Sequence, residues 1–409
     1  MIINLRNIVI KAYDTYVGNI PFLEDMLLPW RANFLLKRYR KRREYYHRIC
    51  EEKKIVYDKK SSTQKIRNHL ANRGYLPKKK TLGEIHTFAF IPRISWHFHL
   101  FDDLFELGPV TEFNYMEYGY DIKDLYTAKS PHLLDEMNSL AFSKLVETHR
   151  RTPVDWIFVY ANGSEVSPQF IQKIIDELGV PTVNMCFDDK QSWDWGKAGK
   201  HSKGQRDIGK TFDLTWTSSR LACEWYLAEG GRPLYLPPGT NLKLYRPLKT
   251  DKDIDVSFIG TNYGYRKSAV RFLAKSHINV STYGIGWKNG RLSDEEIVKM
   301  ICRSKVNLGM GGIGFSENIT NVKGRDFDIP ACGGSVYITS FSPDLVSHYH
   351  VGREIVCYRN RDEMVELIRY FIQHQDEAEQ IARAGRERCL REHRWLHRYI
   401  EICQILGII

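Results

Sequence analysis

Two cations one residue apart at the start of a helix, with a carboxylate one turn on, can hold a phosphorylated ligand. Residues 321–335, NVKGRDFDIPACGGS, carry that arrangement. Lys323 and Arg325 open a predicted helix over 323–331, where free N–H groups and the helix dipole add to their charge. Asp328 can accept from two ribose hydroxyls. Gly333 closes the helix ahead of a strand. A solvated charged turn ended by a capping glycine fits the same residues.

Other groups fall at predicted strand ends. Gly260-Thr261 ends one strand, and Arg266 opens the helix that follows. Glycine there lets backbone N–H groups approach phosphate, and the guanidinium adds a bidentate donor. An ordinary turn with a surface arginine is the plainer alternative. Residues 95–99, SWHFH, follow another strand and open a helix. Imidazole titrates near neutrality, and a helix N-terminus would keep it neutral. His97, nearer the strand end, is the expected base on an acceptor hydroxyl, with His99 as an acceptor contact. A capping or half-buried histidine fits either position. Asp188 and Asp189 end a third strand. Asp188 is the alternative base, and Asp189 is assigned to the acceptor with Asn162 of the polar loop 162–165. Adjacent acids also suggest Mg²⁺, but no HxxE or HExxH spacing accompanies them, so no metal is expected.

The elements that carry these residues alternate between short apolar runs and helical stretches. Strands are predicted at His86–Ile91, Val110–Tyr115, Trp156–Tyr160, Thr182–Phe187, Leu214–Thr217 and Leu234–Leu236, with helices at 97–107, 131–149, 168–178 and 219–229. A second series has strands at Val256–Ile259, Val280–Tyr283, Val306–Leu308, Ser335–Thr339 and Glu354–Cys357. Helices near 265–275, 293–303, 323–331, 361–373, 375–391 and 394–406 separate or follow them. Such alternation predicts an α/β protein of two Rossmann-like, doubly wound domains facing across a cleft. The Pro/Gly-rich stretch 236–247 is the expected linker. The expected division is a basic N-terminal extension (1–83), an N-terminal Rossmann-like domain (84–248), a C-terminal Rossmann-like domain (249–393) and a last helix (394–409) packing back on the N-terminal domain.

The chain has 409 residues, 43% hydrophobic and 27% charged, a globular balance. No apolar run reaches the ~18 residues of a bilayer span. No secretory signal is visible, and the eight cysteines form no CxxC pair, which suits a cytoplasmic protein with reduced thiols. The net charge of +11 is local: residues 31–80 hold 18 Lys and Arg against 4 acids, and the remaining chain holds 42 against 45. Within the basic extension Pro21 suits a helix start, Phe22, Leu23, Met26, Leu27 and Trp30 recur at helical spacing, and Pro29 should kink or end that helix. The stretch 22–54 fits an anionic membrane surface; nucleic-acid phosphate and a charged hairpin packed on the body are the other readings.

The segment KGRDFDIPACGG (323–334) resembles the signature of CgeB-like glycosyltransferases, the spore maturation protein type of the GT-B fold. Pro343-Asp344-Leu345, residues 352–358 (GREIVCY), residues 381–388 (IARAGRER) and residues 255–260 (DVSFIG) with Arg266 continue the resemblance. It is good over about 253–398, looser over 84–250, and absent from the first ~80 residues. It implies transfer of a sugar from a nucleoside diphosphate sugar to a saccharide or glycolipid hydroxyl, with no cofactor beyond that co-substrate. The donor set it implies is Lys323 and Arg325 on the diphosphate, Asp328 on the ribose, Gly260, Thr261, Arg266 and Gly333, and Gly286-Trp287 near the base. Two positions depart from the pattern: Asp328 is one methylene shorter than the usual Glu, and Thr320 stands where retaining relatives often carry Glu. Transfer to a nucleic-acid acceptor and an inactive nucleotide-sugar-binding scaffold are the alternatives. The expected location is cytoplasmic, at the inner face of the membrane.

Overall fold

The computed structural model describes residues 21–127 and 132–409; the first 20 residues of the expected extension lie outside the described residues. Helix α1 (Pro21–Glu52) runs through Pro29 without ending there, which corrects the expected break. Proline removes one backbone hydrogen bond. Ion pairs from Glu24 and Asp25 to Arg271, in the turn preceding Pro29, offset that loss. Helix α2 (Lys59–Asn72) follows, capped by the Asp58 carboxylate on the Ser61 N–H at 2.7 Å.

The next elements are β1 (Thr87–Phe90), a 3₁₀ turn (Ser95–Leu100) leading into α3 (Phe101–Leu107), β2 (Val110–Phe113), α4 (Ile122–Thr127), α5 (His132–Arg151) and β3 (Trp156–Val159). Then come α6 (Pro168–Leu178), β4 (Thr182–Cys186), α7 (Asp189–Ser192), a hairpin of β5 (Lys197–Ala198) and β6 (His201–Ser202), α8 (Gln205–Ile208), β7 (Leu214–Thr217), α9 (Arg220–Ala228) and β8 (Pro233–Tyr235). The six longer-range strands pair in parallel in the order β2-β1-β3-β4-β7-β8. Alternate residues of β3 serve opposite faces. Trp156 and Phe158 join a cluster with α3 and the C-terminal helix, while Ile157 and Val159 join one with α5 and α6. Burial on both faces explains why these strands read as unbroken apolar runs.

The second series comprises β9 (Ile254–Ile259), α10 (Arg266–Lys275), β10 (Ser281–Tyr283), α11 (Asp294–Arg303), β11 (Ser304–Leu308), a hairpin of β12 (Gly312–Ile313) and β13 (Ser316–Thr320), and α12 (Arg325–Cys332). It ends with β14 (Val336–Ser340), β15 (Val356–Tyr358), α13 (Arg361–Gln373), α14 (Gln375–Glu392) and α15 (Trp395–Leu406). Its parallel sheet has the order β10-β9-β11-β14-β15. Helix starts follow local chemistry: Ser293 and Glu296 form a reciprocal capping box on α11, and Ser167 with Pro168 opens α6.

Two compact units result. The first, bearing the six-stranded sheet, comprises Tyr45–Tyr245, Asn321–Ala331 and Glu387–Ile409. The second, bearing the five-stranded sheet, comprises residues 21–44, Arg246–Thr320 and Cys332–Arg386. Helix α15 packs on α2 and α3 in the first unit, where Trp395 stacks on Trp96 with ring centroids 6.0 Å apart. The expected linker is a packed turn over its first half. Residues 236–241 are buried, Thr240 N–H donates to the His393 carbonyl at 2.8 Å, and Arg398 donates to the Pro237 carbonyl. Proline and glycine signal backbone shape, which a tight internal turn needs as much as a tether does.

Candidate functional site

In each sheet the chain leaves one strand, builds its neighbour on one side, and then crosses to the other side. The switch falls between β1 and β3 in the first unit and between β9 and β11 in the second. Open α/β sheets bind ligands outside the carboxyl ends of strands at such points.

In the first unit, the carboxyl ends of β1, β3 and β4 bring His97, Tyr160 and Asp188 into one neighbourhood. The His97 ring is 8% exposed, and its edge meets the Tyr160 ring at 4.7 Å and the Trp96 ring at 5.0 Å. Nδ1 lies 2.7 Å from the Pro92 carbonyl oxygen. A carbonyl only accepts, so Nδ1 carries the proton and Nε2 keeps its lone pair. Burial pulls the His97 pKa down to about 4, so the ring is neutral at pH 7. The cause is desolvation, not the helix N-terminus inferred from position, because His97 sits inside the 3₁₀ turn. Burial, and then the charge of Asp188, hold the Tyr160 hydroxyl well above the usual tyrosine range.

Asp188 is half-exposed and accepts from Lys323 Nζ at 3.3 Å and from Asn321 Nδ2 at 3.3 Å. All three groups belong to the first unit. Lys323 is itself fixed from behind: its N–H donates to the Asp326 carboxylate at 2.7 Å, and Asp326 is 2% exposed. Arg325, half-buried, is the first residue of α12. Asp328 accepts from the Thr240 hydroxyl at 2.9 Å. A lysine, an arginine and a helix start therefore lie in the unit that also carries His97, although the sequence series numbers them with the second sheet.

Several assigned residues do other work. Asp189 is 1% exposed, with its oxygens bonded by the Thr217 and Tyr226 hydroxyls; burial raises its pKa to about 6. It ties β4 to β7 and α9, and burial closes it to an acceptor. Asn162 is also inward: Nδ2 donates to the Tyr126 hydroxyl, and Oδ1 accepts from Ser164 N–H at 2.8 Å. It frames Glu165, which accepts from Tyr115 and Tyr126 and whose pKa burial lifts to about 7. His99 is buried with its ring edge-on to Tyr245 at 5.5 Å. Gly333, with φ +63°, follows the C-terminal end of α12 against the Arg386 side chain. An eight-residue helix, about 12 Å long, separates it from Arg325.

In the second unit, Gly260 and Thr261 follow β9 at the switch point. Arg266 is 2% exposed and donates to the Thr261 carbonyl at 2.8 Å and the Met310 carbonyl at 3.2 Å. It braces two strand-end loops from within rather than presenting its guanidinium to a ligand. Trp287 Nε1 donates to the Gly260 carbonyl at 2.8 Å, and Asn262 Nδ2 to the Gly286 carbonyl at 3.0 Å. The turn after β11 is the feature the sequence reading passed over. Gly309, Gly311 and Gly312 lie there, and a Cβ on Gly309 would meet the Tyr337 hydroxyl at 2.1 Å. Three glycines in four residues after an apolar strand was the available signal. Among the described residues no group of three or more His, Cys, Asp or Glu could hold a metal ion.

Residues 244–404 match the family model described as glycosyl transferase-like. No curated protein matches the chain. Solved structures do. HepE from Anabaena, in complex with UDP and glucose, is 11% identical, with 80% of this chain and 100% of that one covered at a TM-score of 0.54. A glycosyltransferase from Rickettsia africae is 11% identical over 79% of this chain and 98% of its own, at 0.53. Sucrose-phosphate synthase from Thermosynechococcus elongatus is 14% identical over 69% and 79%, at 0.51. The fold is of the GT-B type. The CgeB-like resemblance is finer than these matches reach.

Proposed function

We propose that the protein is a GT-B glycosyltransferase that moves a sugar from a nucleoside diphosphate sugar to a hydroxyl of a surface saccharide or glycolipid, without a metal ion. The observation that carries this reading is the Lys323–Asp188 pair at the carboxyl edge of the first sheet, beside a helix start, with Lys323 inside the segment matching the glycosyl transferase-like model. As the bond from the sugar carbon to the diphosphate breaks, charge gathers on the phosphate oxygens. Lys323, Arg325 and the positive end of the α12 dipole oppose that charge. Until then Asp188 holds the ammonium, and the Asp326 carboxylate fixes the Lys323 backbone. His97 Nε2 takes the acceptor proton while Nδ1–H stays on the Pro92 carbonyl.

UDP is the first diphosphate to try, because the Anabaena neighbour was solved with it. Calorimetry should detect binding of one nucleoside diphosphate among UDP, GDP and ADP, weakened about 10- to 100-fold by Lys323→Met, the range for a hydrogen bond to a charged group. Failure of every diphosphate to bind, or undiminished binding by the variant, would overturn the assignment.

A further inference from the structure

Helix α1 presents one face to the second unit and the opposite face to solvent. Towards the unit, Glu24 and Asp25 are bonded by Arg271, and the Arg31 guanidinium lies 3.7 Å from the Phe315 ring centroid. On the outward face Met26 is 56% exposed, Trp30 69% and Phe34 50%. Four-residue spacing puts these three side chains in one row about 12 Å long. Trp30 and Phe34 stack at 6.5 Å. The next turns of the same helix carry Lys37, Arg38, Arg40, Lys41, Arg42 and Arg43 with no acid among them, and all but Arg42 are exposed. At about 100° per residue, Lys37 and Lys41 fall in the sector of Met26, Trp30 and Phe34.

These three large apolar side chains are at least half exposed and lie outside the unit's buried cluster. We infer that this face docks on an anionic lipid surface, with Met26, Trp30 and Phe34 entering the headgroup–acyl boundary and the 37–43 run lying on the acidic headgroups. Charge complementarity selects the occupant: apolar and cationic stretches follow one another on one face, as a surface-lying helix requires. Phosphate backbones alone would match the cations and leave Met26 and its row unexplained. No helix among the described residues is long and apolar enough to cross a membrane, so the contact is a surface one. The inference is independent of the catalytic reading above.

The test is sedimentation of the full chain with phosphatidylcholine vesicles, with and without phosphatidylglycerol. The protein should sediment with the anionic vesicles and stay in solution with the neutral ones. Lys37→Gln with Lys41→Gln should weaken partitioning about 30-fold, the factor for two cations at ~1 kcal/mol each. Met26→Ser, Trp30→Ser and Phe34→Ser together should abolish it, and because all three side chains are exposed, circular dichroism should be unchanged. Absence of vesicle binding, or equal binding by both variants, would overturn the inference. So would a dimer that the serine variant dissociates, which makes a second copy the occupant. Oligonucleotide binding lost with the two lysines but kept by the serine variant, without vesicle binding, would reassign the face to nucleic acid.

Discussion

If His97 is the base, turnover must survive acid that would silence an ordinary histidine. With the pKa drawn to about 4, about 97% of the ring is neutral at pH 5.5, against about 9% for an unperturbed imidazole of pKa ~6.5. The quantity to measure is kcat/KM, read as release of UDP from a UDP-sugar with an acceptor present, because it reports the free enzyme. It should be flat from pH 8 to about pH 5, and then fall tenfold per unit below about pH 4. Glu165 and Asp189 titrate nearer neutrality in the same unit, at about 7 and about 6, so Glu165→Gln and Asp189→Asn are the controls that should leave the acid limb in place. His97→Gln keeps a polar group on the Pro92 carbonyl but cannot take a proton. Its kcat should fall by about 10²–10⁴, or ~3–5 kcal/mol, with donor affinity unchanged. An acid limb centred near pH 6.5, or a His97→Gln variant as fast as the parent, would refute the assignment.

Stability should also depend on pH through Glu165. Its folded pKa of about 7 lies above the ordinary 4.5, so the folded state holds the extra proton, and the stability it contributes is lost as pH rises from 4.5 through 7. Urea midpoints of Glu165→Gln across that window should therefore decline less than those of the parent. Gly284 has φ +127°, and a Cβ there would sit 2.4 Å from the Gly260 carbonyl oxygen. Gly284→Ala should cost more than ~2 kcal/mol in urea unfolding, and a variant within 0.5 kcal/mol of the parent, about the scatter of surface changes, would show that the turn relaxes freely. Trp395→Ala removes a side chain that is 2% exposed, stacked on Trp96 and Phe187 and edge-on to Trp216, and should cost ~3–5 kcal/mol by the same measurement.

The strands were legible because both faces of each sheet are covered, so burial writes itself as short apolar runs; Leu214–Thr217 has the same bounds in sequence and structure. Side-chain roles were harder to read. Asp188 and Asp189 are adjacent and of one type, yet the turn into α7 leaves one half-exposed beside Lys323 and sends the other into the core. Arg266 resembles a phosphate ligand in sequence because spacing does not say that its partners are the Thr261 and Met310 carbonyls, 5 and 44 residues away in two loops. Tyr160 and Asp326 drew no notice, since one is the apolar-looking end of a strand and the other lies within a charged run. Their importance comes from what they face: the His97 ring and the Lys323 amide.

Each unit is stitched from three separate stretches of chain, and the first is completed by residues 387–409. Trp395, Tyr399 and Ile402 sit in the same cluster as Ala89 and Trp156, more than two hundred positions earlier. During synthesis on the ribosome, the six-stranded sheet must therefore wait with one flank greasy and uncovered until α15 emerges. Chaperone dependence should concentrate in that interval. Cutting the gene at 248 would release a fragment lacking its own lid, whereas a circular permutant that splices 387–409 ahead of residue 45 would let the flank close early.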